Sequence, residues 1–303
     1  MRFMIPAIDT GLPRPYTLSM RNMNMQPQPS GIIILKQIQK HEWVFDYPRF
    51  TEEVHDSLDD AIDWIDSDVR IAKLHFGRLI RDYPELLDAH HHLALTWYRQ
   101  GKLDKAAELW KQGIEFALKL FPSNFSMKRD RLIWGFVKNR PFLRLYHSYG
   151  LSLLEQGESE KALDVFENLL ALNPNDNQGV RALVAECYFN LKQPKGVLKI
   201  CDKYRNDGLE QLLYGRVLAL IQLGNVKEAT KALNRAIKVL PLVARELAKP
   251  THKRPKDYNE EHVALWSEGQ AYGYWKNSSK YWTATPGAIE FVRSHLEGGR
   301  RLR

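Results

Sequence analysis

Three consecutive imidazoles, His90, His91 and His92, are the side chains of this 303-residue sequence whose type most readily does chemistry. A set of histidines ligates transition metals or exchanges protons near neutral pH. Direction decides between these uses, and the surrounding stretch "DAHHHLALTWYRQG" (88–101) has a helical pattern. On a helix successive side chains diverge by about 100°, so three neighbours do not converge on one ion. The expectation is one packing residue, His90, and two side chains, His91 and His92, on an open face where they are protonatable near neutral pH. A second concentration of ligand types lies in residues 51–68, which carry eight acids and no Lys or Arg. Asp56, Asp59, Asp60, Asp63 and Asp66 recur there at helical steps opposite Val54, Leu58, Ile62 and Ile65. A divalent ion needs carboxylates from several elements, and one helix face does not supply them. No metal and no cofactor is expected.

Other catalytic constellations are missing from the sequence. It has no Gly-rich phosphate loop, no His-Glu-x-x-His, no Cys-x-x-Cys and no serine elbow. The expectation is a protein that is not an enzyme. Apolar residues make up 44% and charged residues 26%, which excludes a low-complexity or disordered chain. No run approaches the roughly 18 apolar residues of a bilayer span, and "GIIIL" (31–35) is too short for a secretory core. Cys187 and Cys201 read as reduced thiols, so a cytoplasmic location without membrane contact is expected.

The formal charge of +8 is unevenly spread. Against the acidic stretch stands "KRDRLIWGFVKNRPFLR" (128–144), with six bases and only Asp130 as an acid. Such polarity steers an acidic partner or joins like chains end to end, so self-association is one expectation.

The elements that position these residues follow from a repeat. Small residues recur at Ala72, Ala106, Ala162, Gly196 and Ala229, with spacings of 34, 56, 34 and 33. Four places after each stands Phe76, Trp110, Phe166, Ile200 or Leu233, and Pro84, Pro122, Pro174 and Pro241 close four of the units. In the third unit Leu143, Tyr146, Tyr149, Leu153 and Leu154 line one helix face, Gly157 makes the turn, and Ala162, Phe166, Leu169 and Leu170 line a second helix. Proline ends that helix because it cannot continue the hydrogen-bond ladder. A lone hairpin of this kind does not bury both helices, so the units must stack.

A 34-residue unit with Tyr149-Gly150, Gly157, Ala162, Phe166 and Pro174 resembles the tetratricopeptide repeat (TPR). Units are read at 53–86, 87–120, 143–176, 177–209 and 210–243. The first lacks a glycine turn, the fourth has Leu191 in its place, and the fifth has Gly215 off register. The resemblance implies an all-α fold, a right-handed superhelical solenoid of antiparallel helix pairs. The organisation expected is an N-terminal arm over 1–50, partly disordered, with residues 1–30 poorly ordered. A TPR-like solenoid over 51–248 follows, with a basic and aromatic insert at 121–142. Residues 249–303 form a basic linker and aromatic capping helices, the last opened by Thr285-Pro286 as N-cap and first helical position. The run from "LVAECYFNLKQPKGVLKICDKY" into the aromatic tail is also distantly similar to the C-terminal TPR region of the suppressor-of-tumorigenicity 7 family.

The TPR resemblance implies a concave groove lined by the first helix of each unit. Its spacing selects His91, His92, Leu95, Tyr98, Arg99, Arg144, His147, Leu151, Arg181, Tyr188, Tyr214 and Leu218 as partner-binding residues. The clamp that holds a chaperone's terminal carboxylate needs Lys and Asn at steps where this chain has His91, His147, Arg181 and Tyr214, or Leu95, Leu151, Ala185 and Leu218. It is not expected. Aliphatic residues flanked by His, Arg and Tyr suit an amphipathic helix or extended peptide with some acids. The alternative is a nucleic-acid-associated repeat protein, using Lys128, Arg129, Arg131, Lys138 and Arg140 among the aromatics of the insert.

Overall fold

A computed structural model describes residues 34–260 and 262–301. The expectation for residues 1–30 falls outside them. The chain divides into two compact units, one ending at Gln178 and the other beginning at Gly179, two residues past the boundary read between the third and fourth repeats.

The first unit holds three helix pairs: α1 (Glu52–Ser67) with α2 (Val69–Asp82), α3 (Leu87–Arg99) with α4 (Leu103–Lys119), and α5 (Arg140–Glu155) with α6 (Ser159–Leu172). The small and aromatic positions of the repeat form its core. Ala72, Phe76, Ala106, Trp110, Ala162 and Phe166 are all fully buried, because each alanine admits the close helix approach that its aromatic then fills. The turns differ in chemistry. Gly157 takes φ of 81° between α5 and α6, where a side chain is strained. The first pair needs no glycine, because Asp68 alone separates α1 from α2, extended in backbone and accepting a hydrogen bond from the Arg70 amide at 2.9 Å.

Ahead of α1, part of the segment read as an arm is a β-hairpin, β1 (Ile34–Gln39) with β2 (Glu42–Asp46), antiparallel with Leu35 opposite Phe45. Among the described residues the helical solenoid thus carries one small two-stranded sheet. Trp43 and Phe45 alternate inward along β2, and their rings meet the insert: Trp43 lies 5.6 Å from Phe125, and Phe45 lies 5.8 Å from Phe121 and 5.6 Å from Phe142. The backbone joins as well. The Trp43 amide donates to the Arg131 carbonyl at 3.0 Å and the Arg131 amide donates to the His41 carbonyl at 2.7 Å.

Asn139 closes this joint from full burial. Its side-chain carbonyl accepts from the Phe45 amide at 3.0 Å, and its amide donates to the carbonyls of Trp43 and Ile133, both at 3.1 Å. Replacing it with alanine strands buried backbone groups of β2. Asn139→Ala is expected to cost about 2–4 kcal/mol in chemical denaturation, with faster hydrogen exchange at the Phe45 amide. Unchanged exchange there would refute the joint.

The second unit contains α7 (Val180–Asn190) with α8 (Pro194–Lys203), α9 (Glu210–Gln222) with α10 (Val226–Val239), then α11 (Pro241–Ala248), α12 (Glu268–Thr283) and α13 (Ala288–Arg301). Lys192 takes φ of 56° at the α7–α8 turn, one residue after Leu191, the residue in the expected place of the turn glycine, and Gly224 rather than Gly215 turns α9 into α10. Two of the closing aromatics are core: Tyr274 and Trp282 are buried with Tyr214, Leu233 and Val243, and the Trp282 indole donates to the Tyr274 hydroxyl at 3.0 Å. Thr285 does not cap α13 as expected. Its hydroxyl donates back to the Tyr281 carbonyl at 2.8 Å and so closes α12.

Candidate interaction surface

The expected groove residues separate by burial. In the first unit His91, His92, Leu95, His147 and Leu151 are buried, and in the second Tyr188, Tyr214 and Leu218 are. This corrects their assignment as contact residues, since a side chain covered by its own fold does not meet a partner. The physical reason is packing on several sides: α3 touches α2, α4 and α5. His92 stacks on Phe76 at 5.9 Å, His91 lies 6.3 Å from Trp110, and His147 lies 6.2 Å from Phe166. Tyr214 turns its hydroxyl to the Leu240 carbonyl at 2.7 Å.

Nor are these histidines charged near neutral pH. Burial pushes His91 well below the usual imidazole range, with His92, Arg144 and His147 adding like charge. Burial likewise takes His92 and His147 down to about 4. His90 is the packing residue the helix geometry predicted, with its Nε2 at 2.9 Å from the Pro84 carbonyl and its ring stacked on Phe116 at 6.3 Å. Among the described residues no three His, Cys, Asp or Glu side chains are grouped to hold a metal ion, and no helix is long and apolar enough to cross a membrane. Cys187 and Cys201 are free and buried, and burial raises both thiols to about 12.

The half-buried and exposed members of the set are Tyr98, Arg99, Arg144 and Arg181. Tyr98 packs on Trp110 at 5.8 Å. The arginines spend their charge internally. Arg144 holds Asp88 through one nitrogen at 2.7 and 2.9 Å, Arg99 pairs with Asp66 at 2.7 Å, and Arg181 bonds Asp207.

The basic insert is also occupied. Arg129 pairs with Asp130 at 3.0 Å, and Asp130 in turn receives the Ser126 amide at 2.8 Å and lies 2.8 Å from His41. The Arg129 guanidinium, first among these partners, holds the Asp130 carboxyl far below the usual range. Lys138 pairs with Asp46 at 2.9 Å, Arg131 donates to the Arg129 carbonyl at 3.0 Å, and Arg140 lies over Trp134 while donating to its carbonyl at 3.1 Å. Lys128 is exposed. Phe121, Phe125, Phe142 and Lys138 meet the β-hairpin, while the Arg129, Arg131 and Arg140 side chains bond within the insert.

The aromatic closing segment, read as capping helices with a partner-docking patch as the alternative, leaves one apolar pair in solvent. Leu265 and Trp266 are 65% and 68% exposed, and Trp266 sits at φ of 57°, a conformation that costs a bulky residue of order 1–3 kcal/mol. The strain is held by hydrogen bonds. The Trp266 amide donates to Gln270 Oε1 at 2.7 Å, Gln270 Nε2 donates to Glu210 at 2.8 Å, and Ser267 caps α12 through the Gln270 amide at 3.1 Å. The Ser267-x-x-Gln270 spacing is that of a capping box, and it was a legible signal that the preceding tryptophan is fixed in place.

Stacked pairs of antiparallel helices with a small residue and an aromatic at fixed steps define a TPR-like helical-repeat protein. The chain belongs to the Tcf25 family, described as transcriptional repressor TCF25, whose model matches residues 73–284. The distant similarity to the suppressor-of-tumorigenicity 7 family is not shown by the comparisons. No curated protein matches the chain in sequence. Solved structures similar to it include a tetratricopeptide repeat protein from Parabacteroides merdae, 18% identical over 83% of this chain and 88% of that one, with a TM-score of 0.47. The TPR-like repeats of a Podosopora anserina putative kinesin light chain are 14% identical over 64% and 97%, with a TM-score of 0.44. YrrB, a TPR protein with an unusual peptide-binding site, is 16% identical over 74% and 97%, with a TM-score of 0.41.

Proposed function

We propose that this chain is a non-enzymatic protein-interaction scaffold that binds a peptide or amphipathic helix of a protein partner. The observation that carries the reading is the Leu265–Trp266 pair, an apolar contact that folding leaves in solvent on a backbone locked by Gln270 and Ser267. Exposed tryptophan held rigid is the residue type that dominates binding energy at protein interfaces. The helical-repeat fold supports the same reading, because stacked hairpins offer extended surface rather than an enclosed reaction chamber. The family's description as a transcriptional repressor is compatible with a scaffold that gathers other proteins. It also brings a nuclear alternative to the cytoplasmic location expected from the sequence, which imaging of the tagged full chain decides.

Affinity capture with the full chain, compared with Leu265→Ser and Trp266→Ser, tests the proposal. Proteins captured by the parent chain are expected to fall at least about tenfold with Trp266→Ser, while the thermal transition stays within a few degrees. Capture that is indifferent to both substitutions would remove this surface from the function.

A further inference from the structure

We propose that a cleft bordered by α8, α9 and α10 is an anion-recognition site that takes the carboxylate or phosphate of a side chain on a partner peptide. The proposal rests on the scaffold reading and gives it a partner chemistry. Three arginines, Arg205, Arg216 and Arg235, line this one opening together with Leu212, Leu213 and Ala232. Their pairing is incomplete. Arg216 bonds Asp202 on the rim, an acid whose side chain is 65% exposed, and Arg235 donates to the backbone carbonyl of Arg205. Among the described residues neither Arg205 nor Arg235 has a carboxylate partner.

The cleft's own acid does not neutralise them. Asp207 also lines it, but this carboxylate bonds Arg181 and accepts the Leu209 amide at 2.9 Å. Like charges gathered at one opening repel, and an incoming anion relieves that repulsion while meeting planar donor forks that suit oxygen pairs. The lining selects the source of the anion. A peptide lays an aliphatic neighbour on the half-buried Ala232, behind which Leu212 and Leu213 are buried, whereas a nucleic acid needs an open aromatic face for its bases. The aromatic ring of the cleft, Tyr204, already carries Arg181 at 5.7 Å and Lys203 at 5.4 Å from its centroid.

Fluorescence anisotropy with the full chain tests this, using labelled leucine-flanked pentapeptides whose central residue is phosphoserine, glutamate or serine, and a single-stranded oligothymidine. The phosphoserine or glutamate peptide is expected to bind at least about tenfold more tightly than the serine peptide, and the better of the two names the group recognised. Arg205→Gln with Arg235→Gln is expected to abolish that preference with an unchanged thermal transition, and Arg235→Lys to weaken it in part by keeping charge without the fork. Equal or undetectable binding of all three peptides overturns the proposal. So does an unchanged preference in the double variant, or oligothymidine binding that exceeds the peptides and is lost with the same arginines. Failure here with Trp266-dependent capture intact refutes the cleft and leaves the scaffold reading standing.

Discussion

Taking the full chain from pH 7 to pH 5 is expected to remove several kcal/mol of stability from the unit that ends at Gln178. His91, His92 and His147 are buried there with ring nitrogens that lack hydrogen-bond partners. Unfolded, each imidazole takes up a proton near pH 6.5, whereas folded His92 and His147 wait until about 4 and His91 lies well below its ordinary value. Between those limits the unfolded chain binds more protons. The stabilisation is therefore fully present above about pH 6.5 and declines as pH falls toward 4. At pH 5 His92 and His147 each contribute a loss of about 2 kcal/mol and His91 acts in the same direction, set against a typical total of about 5–15 kcal/mol. Asp88 opposes the effect at His92, while Arg144 and Arg99 reinforce it. Hydrogen exchange at the amides of α3 and α5, followed through urea titrations at the two pH values, measures it. Replacing His92 and His147 with phenylalanine is expected to flatten the dependence, and a parent chain equally stable at both pH values would contradict this arrangement.

Gly196→Ala is expected to destabilise the α7–α8 pair by about 3 kcal/mol, although alanine favours a helix. An added Cβ would lie 2.3 Å from Cδ1 and 2.5 Å from Cε1 of Tyr188, and a buried ring cannot yield by bending. The corresponding positions of the other units hold Ala72, Ala106, Ala162 and Ala229 without strain, so the intolerance comes from Tyr188 and not from the repeat. A double-mutant cycle with Tyr188→Val separates the two. The pair of substitutions is expected to cost at least 1 kcal/mol less than the sum of the single ones, and strict additivity would place the clash elsewhere.

The helix pairs were legible because burial of one helix face writes a 3.6-residue period, and close crossing writes a small residue with a large one four places on. That is why Ala162 and Phe166 could be placed before any coordinates. The hairpin was not, because β2 is only five residues long and its partners Arg131 and Asn139 are distant in sequence. Nothing local marks such a pairing. The groove residues that proved buried were misread for a different reason. The spacing locates His91 and His147 on a helix but carries no information on how far Trp110 and Phe166 cover them. Of the six bases in the insert, Lys138 and Arg144 meet carboxylates in other segments, Asp46 and Asp88, and the local sequence carries no sign of either pairing.

The joint between β2 and Asn139 also sets an order of events during synthesis. Phe45 and its Asn139 partner are 94 positions apart, so the hairpin leaves the ribosome with its inner face and backbone donors unmet. At about 5–20 residues per second that interval is roughly 5–20 s. For that time a short apolar strand edge is open to other nascent chains, and what protects it is its brevity and the charges of Lys36, Glu42 and Asp46 along it. Translation pausing between α4 and α5 would lengthen the exposure, and a chain cut before residue 139 would never end it.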